Sequence, residues 1–171
     1  PTPTPINPSV VLERSGKAME GVSSFQFQLD HRTGGTVLMP NLVIREIEGQ
    51  VIRPDRIPLD FRGRFGNFPI KGRLVTVGDV THMTNPLTDA WEVVPPDISP
   101  LGFFSEIAAM MSQVGQAVAL PGDEGTYRIK GVMPAEALAP LVGSTVTGAT
   151  IPVELTVREG DFYLLEAVFH G

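Results

Sequence analysis

The sequence contains no cysteine, and this absence excludes several kinds of chemistry at once. A chain without cysteine forms no disulfide, carries no thiolate nucleophile and offers no cysteine ligand to a metal. Long hydrophobic runs are also missing, because polar residues interrupt every apolar stretch before it reaches the roughly 18 residues of a membrane-spanning helix. The sequence therefore predicts a folded domain whose function needs neither thiol chemistry nor a spanning helix.

Charge is scarce, and positive charge is scarcer than negative. Charged residues make up 19% of the chain, and 13 Lys and Arg stand against 19 Asp and Glu, which gives a net charge of −6. Proteins that bind nucleic acid use clustered Lys and Arg to neutralise phosphates, so this balance argues against a nucleic-acid partner. There is also no polybasic run of the kind that binds anionic lipid headgroups.

Catalytic signatures are missing as well. His31, His82 and His170 lie far apart, and none belongs to an HxH or HExxH motif of the kind that holds zinc. The chain has no GxSxG motif and no phosphate-binding loop. The aspartates, Asp60 among them, are assigned mostly to turns rather than to a pair. We therefore expect no enzyme, no metal site and no cofactor.

Much of the sequence shows the alternation of apolar and polar residues that is typical of β-strands. In residues 24–30, Phe25, Phe27 and Leu29 alternate with polar residues, so one side of this strand is apolar. A hairpin is predicted next, at residues 33–35. Further strands are predicted at 36–40, 42–54, 56–65, 68–78, 79–85 and 90–95, separated by turn residues such as Gly66-Asn67 and Gly78-Asp79. Their short spacing predicts antiparallel meanders, with the arginines of this region on the solvent-facing side.

The rest of the chain mixes helices with three more strands. An amphipathic helix is predicted over residues 9–22, capped by Ser9, and a short helix from Pro134 to Gly143. Strands are predicted at 125–133, 150–159 and 161–171, the last two pairing across Gly160-Asp161. Runs of strands broken by a few helices are typical of the α+β class.

The most apolar helix is predicted over residues 98–115. Phe103, Ile107, Met110, Met111 and Val114 recur at helical spacing, and Phe104 widens this stripe. Met is common on surfaces that accept varied apolar partners. Three interpretations are open: ordinary core, a membrane anchor, or one wall of a cavity for an apolar ligand. The membrane anchor is the weakest, because polar residues interrupt the helix too early.

Residues 1–8 alternate Pro with Thr and favour an extended polyproline conformation, so we predict a tether followed by a single domain over 9–171. A chain that begins with a tether leads us to expect that a signal sequence, ending in a lipidated cysteine, was removed before Pro1. The alternative is an artificial cut at a flexible end.

The order of these pieces resembles the LppX/LprA/LprF/LprG family of bacterial cell-envelope lipoproteins, which have a fold similar to LolA and LolB. The resemblance extends over nearly the whole chain after the tether. It is carried by MEGVSSFQFQLDH at 19–31, IEGQVIRPDRI at 47–57, and above all VGDVTHMTNPLTDAWEVVPPDISPLGFF at 77–104.

The resemblance implies a strongly curved antiparallel β half-barrel, covered on its open side by α-helices, with an apolar cavity for acyl chains between them. The residues implied to line this cavity are Phe25, Phe27, Leu29, Leu101, Phe103, Phe104, Ile107, Met110, Met111 and Val114. The implied function is a non-enzymatic lipid carrier, anchored outside the cytoplasm in the cell envelope. Its implied partners are a lipid or glycolipid, the membrane surface and an envelope transporter.

A second function stays open beside the carrier. If side chains fill the space between sheet and helices, the same fold has a collapsed core and no ligand. The protein would then be an interaction or assembly module of the envelope that binds another protein through its surface. The two functions differ in whether Phe103, Ile107 and Met110 contact sheet residues directly or line an empty volume.

Overall fold

The computed structural model describes residues 6–95, 107–139 and 145–170. The chain divides into two compact units. Within the described residues, one unit consists of 22–95 with Ala139 and is called the meander unit; the other consists of 6–21, 107–138 and 145–170 and is called the helical unit. The expectation of a single lipid-binding domain over 9–171 stays a prediction.

The meander unit is built from antiparallel strands that follow one another along the chain. They are β1 (Ser24–Asp30), β2 (Thr36–Met39), β3 (Leu42–Ile52), β4 (Arg56–Phe65), β5 (Phe68–Val77), β6 (Val80–Thr84) and β7 (Trp91–Val94). Their order in the sheet is β1-β3-β4-β5-β6-β7, and β2 also pairs with β3. The strands predicted between residues 24 and 95 are confirmed, with ends that differ by three residues at most.

Two-residue turns make three of the six connections between these strands. Asn41, Gly66 and Gly78 have φ angles of 68°, 58° and 59°. Two-residue hairpin turns need positive φ, which Gly and Asn tolerate best, so these positions close the hairpins β2–β3, β4–β5 and β5–β6. The turns predicted at Gly66-Asn67 and Gly78-Asp79 are confirmed.

The hairpin predicted at residues 33–35 is wrong. β1 does not pair with β2; both pair with β3, where Asp30 lies opposite Glu46 and Thr36 lies opposite Ile44. The backbone N–H of His31 donates to the carbonyl oxygen of Arg45 at 2.9 Å, so the chain leaves β3 only briefly between these two strands. β1 and β2 therefore form one interrupted strand along β3.

The helical unit combines helices with a second antiparallel sheet. Its elements are α1 (Pro8–Glu20), α2 (Ile107–Ser112), β8 (Gly115–Leu120), β9 (Thr126–Pro134), a 3₁₀ helix (Ala135–Leu138), β10 (Thr150–Arg158) and β11 (Leu164–Phe169), and the strand order is β11-β10-β9-β8. None of the helices described is long and apolar enough to cross a membrane. Two antiparallel sheets with a few helices confirm the α+β class.

Three helix boundaries differ from their predictions. Asn7, and not Ser9, caps α1: its Oδ1 accepts from the backbone N–H of Ser9 at 3.0 Å, and the helix begins at Pro8. The helix predicted over 98–115 ends at Ser112, and its residues 98–106 lie outside the described part of the chain. Of the helix predicted from Pro134 to Gly143, the described part is the 3₁₀ helix and Ala139.

Strand β8 was missed by the sequence prediction because the apolar helical pattern continues into it. Its start is marked by Gln116, whose φ of 52° is incompatible with a regular helix, and by a shift of register against β9 between Gly115 and Val118. Gly131 of β9 leaves space for the side chain of Val114, the residue just before β8, since a Cβ at position 131 would lie 2.6 Å from Cγ1 of Val114.

Helices α1 and α2 pack closely against each other. Val11, Leu12 and Met19 of α1 are buried. A Cβ added at Gly16 would lie 3.2 Å from Cα of Ala108 in α2, so the two backbones approach to a distance that only a glycine permits without adjustment. The amphipathic pattern predicted for the first helix thus buries its apolar side, in part against α2.

Candidate functional site

One face of the meander sheet is apolar. Side chains alternate along a strand, and residues directly opposite each other in antiparallel strands lie on the same face. Starting from Phe25, Phe27 and Leu29, the register defines a mainly apolar face made of Phe25, Phe27, Leu29, Ile47, Gly49, Val51, Ile57, Leu59, Phe61, Gly72, Leu74, Thr76, Thr81, Met83 and Val94, with the exposed Glu92 opposite Met83 on the last strand. The alternation predicted for β1 is confirmed.

Burial changes across the apolar face. Ile57 and Phe61 in the middle of the sheet are only 0% and 2% exposed. Phe25, Phe27 and Leu29 on β1 are half-buried. A large apolar side chain gains stability when it is removed from water, so the β1 side of this face retains apolar surface that another apolar molecule could cover.

Two glycines shape the apolar face. A Cβ added at Gly49 would lie 2.8 Å from Cζ of Phe27, and one added at Gly72 would lie 2.5 Å from Cζ of Phe61. Each phenylalanine ring therefore lies over the backbone of a neighbouring strand, where a side chain would otherwise stand. On the half-buried β1 side the ring of Phe27 is part of the surface, whereas the ring of Phe61 is only 2% exposed.

The two threonines of the apolar face satisfy each other. Oγ1 of Thr76 and Oγ1 of Thr81 lie 2.9 Å apart, and the two side chains are 0% and 2% exposed. A buried hydroxyl that has a partner costs little, whereas an unpaired one is expensive. These hydroxyls are thus not available to orient a ligand, and the chemistry that the apolar face offers is hydrophobic contact.

The predicted site residues of the second helix lie in the helical unit. Ile107, Met110 and Met111 are 5%, 6% and 1% exposed, on a helix that packs against α1. Val114 is half-buried, close to the backbone of Gly131. Leu101, Phe103 and Phe104 lie outside the described residues. The assignment of these residues and of the three β1 residues to a ligand cavity stays a prediction.

The opposite face of the meander sheet carries charge. Six charged residues on β3, β4 and β5 line a concave pocket of about 400 Å³, together with Phe61, Gly72, Thr84 and Asp89. They form two cross-strand rows, Glu46–Arg62–Lys71 and Glu48–Asp60–Arg73. We call this site the bipolar pocket.

Sequence reasoning missed the bipolar pocket, although it placed the arginines on the solvent side correctly for Arg62 and Arg73. Asp60 lies within the predicted strand 56–65 and directly opposite Glu48, so the expectation that the aspartates take part in no pair of carboxylates is wrong for Asp60. A signal was present: each of three successive strands carries two charged residues at i and i+2. That spacing puts both charges on one face, but only the register shows which charges meet.

The histidines do not form a site. Nε2 of His31 lies 3.0 Å from Oγ1 of Thr36, and burial, with a smaller contribution from the charge of Arg45, lowers the pKa of the His31 ring. His170 lies on another sheet, 3.9 Å from a carboxylate oxygen of Glu154. No group of three potential metal-ligating side chains occurs within residues 6–95, 107–139 and 145–170.

Comparison with known proteins supports the fold. The structure matches the crystal structure of the Mycobacterium tuberculosis lipoprotein LppX with a TM-score of 0.56 and 18% sequence identity, covering 96% of this chain and 88% of that one. No family model and no curated protein matches the sequence. At this identity the likeness concerns the fold alone, so the chain has an LppX-like α+β fold.

Proposed function

We propose that this protein is a non-enzymatic lipid-binding protein that holds acyl chains against the apolar face of its meander sheet. The observation that carries the proposal is the half-buried row Phe25, Phe27 and Leu29 beside a fully buried apolar floor. An acyl chain along β1 would cover these three side chains and would need no hydrogen bond. The LppX-like fold supports the same function.

The energy of such binding comes from apolar contact alone. Each buried CH₂ group contributes about 0.8 kcal/mol, so an acyl chain of about fourteen carbons contributes on the order of 10 kcal/mol before the costs of association. This is enough for stable retention of a lipid, and it needs no catalytic residue. The Phe27–Gly49 contact, on the half-buried β1 side, presents an aromatic ring that suits a flexible chain without polar groups.

The family, the curvature of the sheet and the location of the protein are proposed together with this function. We propose with it that the chain belongs to the LppX/LprA/LprF/LprG family and that its meander sheet is a curved half-barrel. A removed signal sequence and a lipid anchor place the protein outside the cytoplasm on the cell envelope, where a transporter supplies or receives the lipid.

The test introduces the same charge on either face of β1. Leu29→Lys puts an ammonium on the apolar face, and Gln28→Lys, its matched control, puts one on the opposite face of the same strand. Binding of a fluorescent polyene fatty acid is measured by titration. We expect Leu29→Lys to weaken binding at least tenfold, about 1.4 kcal/mol, because the acyl chain would desolvate the new charge. Gln28→Lys should bind as the unchanged protein does.

Both variants are first compared by circular dichroism and thermal unfolding. Leu29 is half-buried, so a lysine there can extend its ammonium toward water and leave the fold intact. Equal affinities of two folded variants would show that the fatty acid does not contact this face of β1 and would remove the basis of the proposal.

A second function, the interaction module with a collapsed core, is favoured by the helical unit. Ile107, Met110 and Met111 are at most 6% exposed without any ligand. Trp91 and Val93 on β7 are 47% and 67% exposed and offer apolar surface to a partner protein. A protein of this second type would bind no fatty acid in the titration, so the same experiment distinguishes the two.

A further inference from the structure

The bipolar pocket separates its charges across the sheet. Glu46 and Glu48 stand on β3, Lys71 and Arg73 stand on β5, and the strand between them, β4, carries one charge of each sign. Two acidic residues therefore stand on one strand of the pocket and two basic residues on another, and Asp89, between β6 and β7, adds one more carboxylate to the lining. Adjacent strands lie about 4.8 Å apart, so β3 and β5, on either side of β4, lie two spacings or about 9.6 Å apart.

The charges of the pocket neutralise one another only in part. Glu46 and Arg62 form an ion pair at 3.3 Å, and it is the only pair within 4 Å among the pocket's described residues. Glu48 lies directly opposite Asp60, an arrangement of like charges that destabilises a sheet. These two carboxylates face an open concavity side by side.

Arg73 is held away from the carboxylate that it could neutralise. It lies directly opposite Asp60, yet its guanidinium stacks over the indole of Trp91, with Cζ at 5.6 Å from the ring centroid. A cation over an indole face is stabilised by the ring quadrupole. Arg73 and Lys71 thus keep their N–H groups for another partner, as Glu48 and Asp60 keep their oxygens.

We propose that the bipolar pocket binds a small zwitterion in which an ammonium is joined to a phosphate by a two-carbon spacer, the phosphoethanolamine group. The ammonium donates to the carboxylates of Glu48 and Asp60, and the phosphate accepts from Arg73 and Lys71. Such charge-assisted hydrogen bonds are the stronger kind. A simple cation would leave the basic side unpaired, and a simple anion would leave the acidic side unpaired.

The test is a titration of the full chain with O-phosphoethanolamine at low salt, followed by ¹H–¹⁵N NMR. We expect saturable shifts at residues 46–48, 60–62 and 71–73. Asp60→Asn and Lys71→Gln should each weaken binding about tenfold or more, because each removes a charged partner. Ethanolamine alone and inorganic phosphate alone should bind at least tenfold more weakly than the zwitterion.

Glu154→Gln is the matched control. It changes the net charge as Asp60→Asn does, but it lies on the other sheet, in an ion pair with Arg128 at 3.1 Å. It should leave the affinity unchanged. Equal weakening by Glu154→Gln, equal binding of phosphate alone, or no saturable shift would each overturn the proposal.

A second experiment distinguishes whether the phosphoethanolamine group belongs to a lipid or to a soluble compound. Flotation with phosphatidylcholine vesicles, with and without phosphatidylethanolamine, tests the lipid headgroup, since the trimethylated choline has no N–H to donate. Binding that depends on phosphatidylethanolamine supports a lipid source, and binding of the free compound only supports a soluble one. Asp60→Asn should not change fatty-acid binding on the opposite face, so this proposal and the proposed lipid function fail independently.

Discussion

Gly49 and Gly72 determine where two phenylalanine rings of the apolar face lie. Each glycine occupies a strand interior, where the absence of a side chain normally weakens a sheet. Here the ring of a neighbouring strand fills the space, as the 2.8 Å and 2.5 Å distances from a hypothetical Cβ to Phe27 and Phe61 indicate. The ring supplies the packing that glycine, which has no side chain, does not provide.

Gly72→Ala tests the contact between Phe61 and Gly72 by adding one methyl group. The new Cβ would overlap the Phe61 ring, which is 2% exposed and has little room to move. We expect the free energy of unfolding to fall by about 1–3 kcal/mol, the usual cost of overpacking a core. Urea denaturation followed by Trp91 fluorescence measures the change.

Gly160→Ala serves as the control for that experiment, because no heavy atom lies within 4 Å of its added Cβ. Its free energy of unfolding should stay the same or rise slightly, since alanine restricts the unfolded chain. A Gly72→Ala protein as stable as Gly160→Ala would mean that the Phe61 ring adapts freely.

At the scale of elements, the helical unit depends on the close approach of α1 and α2. Gly16 has no side chain at the point where α1 meets Ala108 of α2. Small residues at a helix crossing let the backbones come together, and the larger neighbours Val11, Leu12 and Met19 then pack around the contact.

Gly16→Leu should therefore destabilise the protein although leucine favours helix more than glycine does. We expect thermal unfolding to show a loss of about 1–3 kcal/mol from overpacking. Gly21→Leu is the matched control: its Cβ would lie 3.6 Å from the carbonyl oxygen of Ala18, an ordinary contact, so its effect should stay within about 0.5 kcal/mol. If both variants unfold at the same temperature, the helices do not depend on Gly16 for their approach.

The interrupted strand β1–β2 shows that the residue pattern of a strand does not determine which strand it pairs with. Residues 24–30 and 36–39 alternate correctly, and the turn residues between them favour a hairpin. Instead both pair with β3, and residues 31–35 bulge out beside Arg45. Period-2 alternation fixes the face on which a side chain lies, but not the strand beside which it lies.

At the scale of the whole molecule, one sheet presents two kinds of chemistry on its two faces. The apolar face offers hydrophobic contact, and the bipolar pocket offers charges of both signs. Antiparallel sheets separate such surfaces because successive side chains point to opposite sides. The proposed acyl chain and the proposed zwitterion therefore do not compete.

Native mass spectrometry of the intact protein purified from a bacterial host tests the lipid function directly. We expect a bound mass of two- or three-chain lipid size that organic extraction releases, because acyl chains held by apolar contact dissociate slowly in water. Leu29→Lys, purified in parallel, should carry less of it. A clean mass without ligand, in a protein that also takes up no added lipid, would favour the interaction module.

The sequence alone determined the α+β class, the strands of the meander unit, most of its turns and the apolar side of β1, because these depend on propensity and periodicity over a few neighbouring residues. It also excluded thiol chemistry and a spanning helix by composition. Only the tertiary structure decided that β1 and β2 share β3, that Glu48 meets Asp60, and that Phe61 lies over Gly72. These contacts join residues distant along the chain, and their register depends on the packing of the whole sheet rather than on any local pattern.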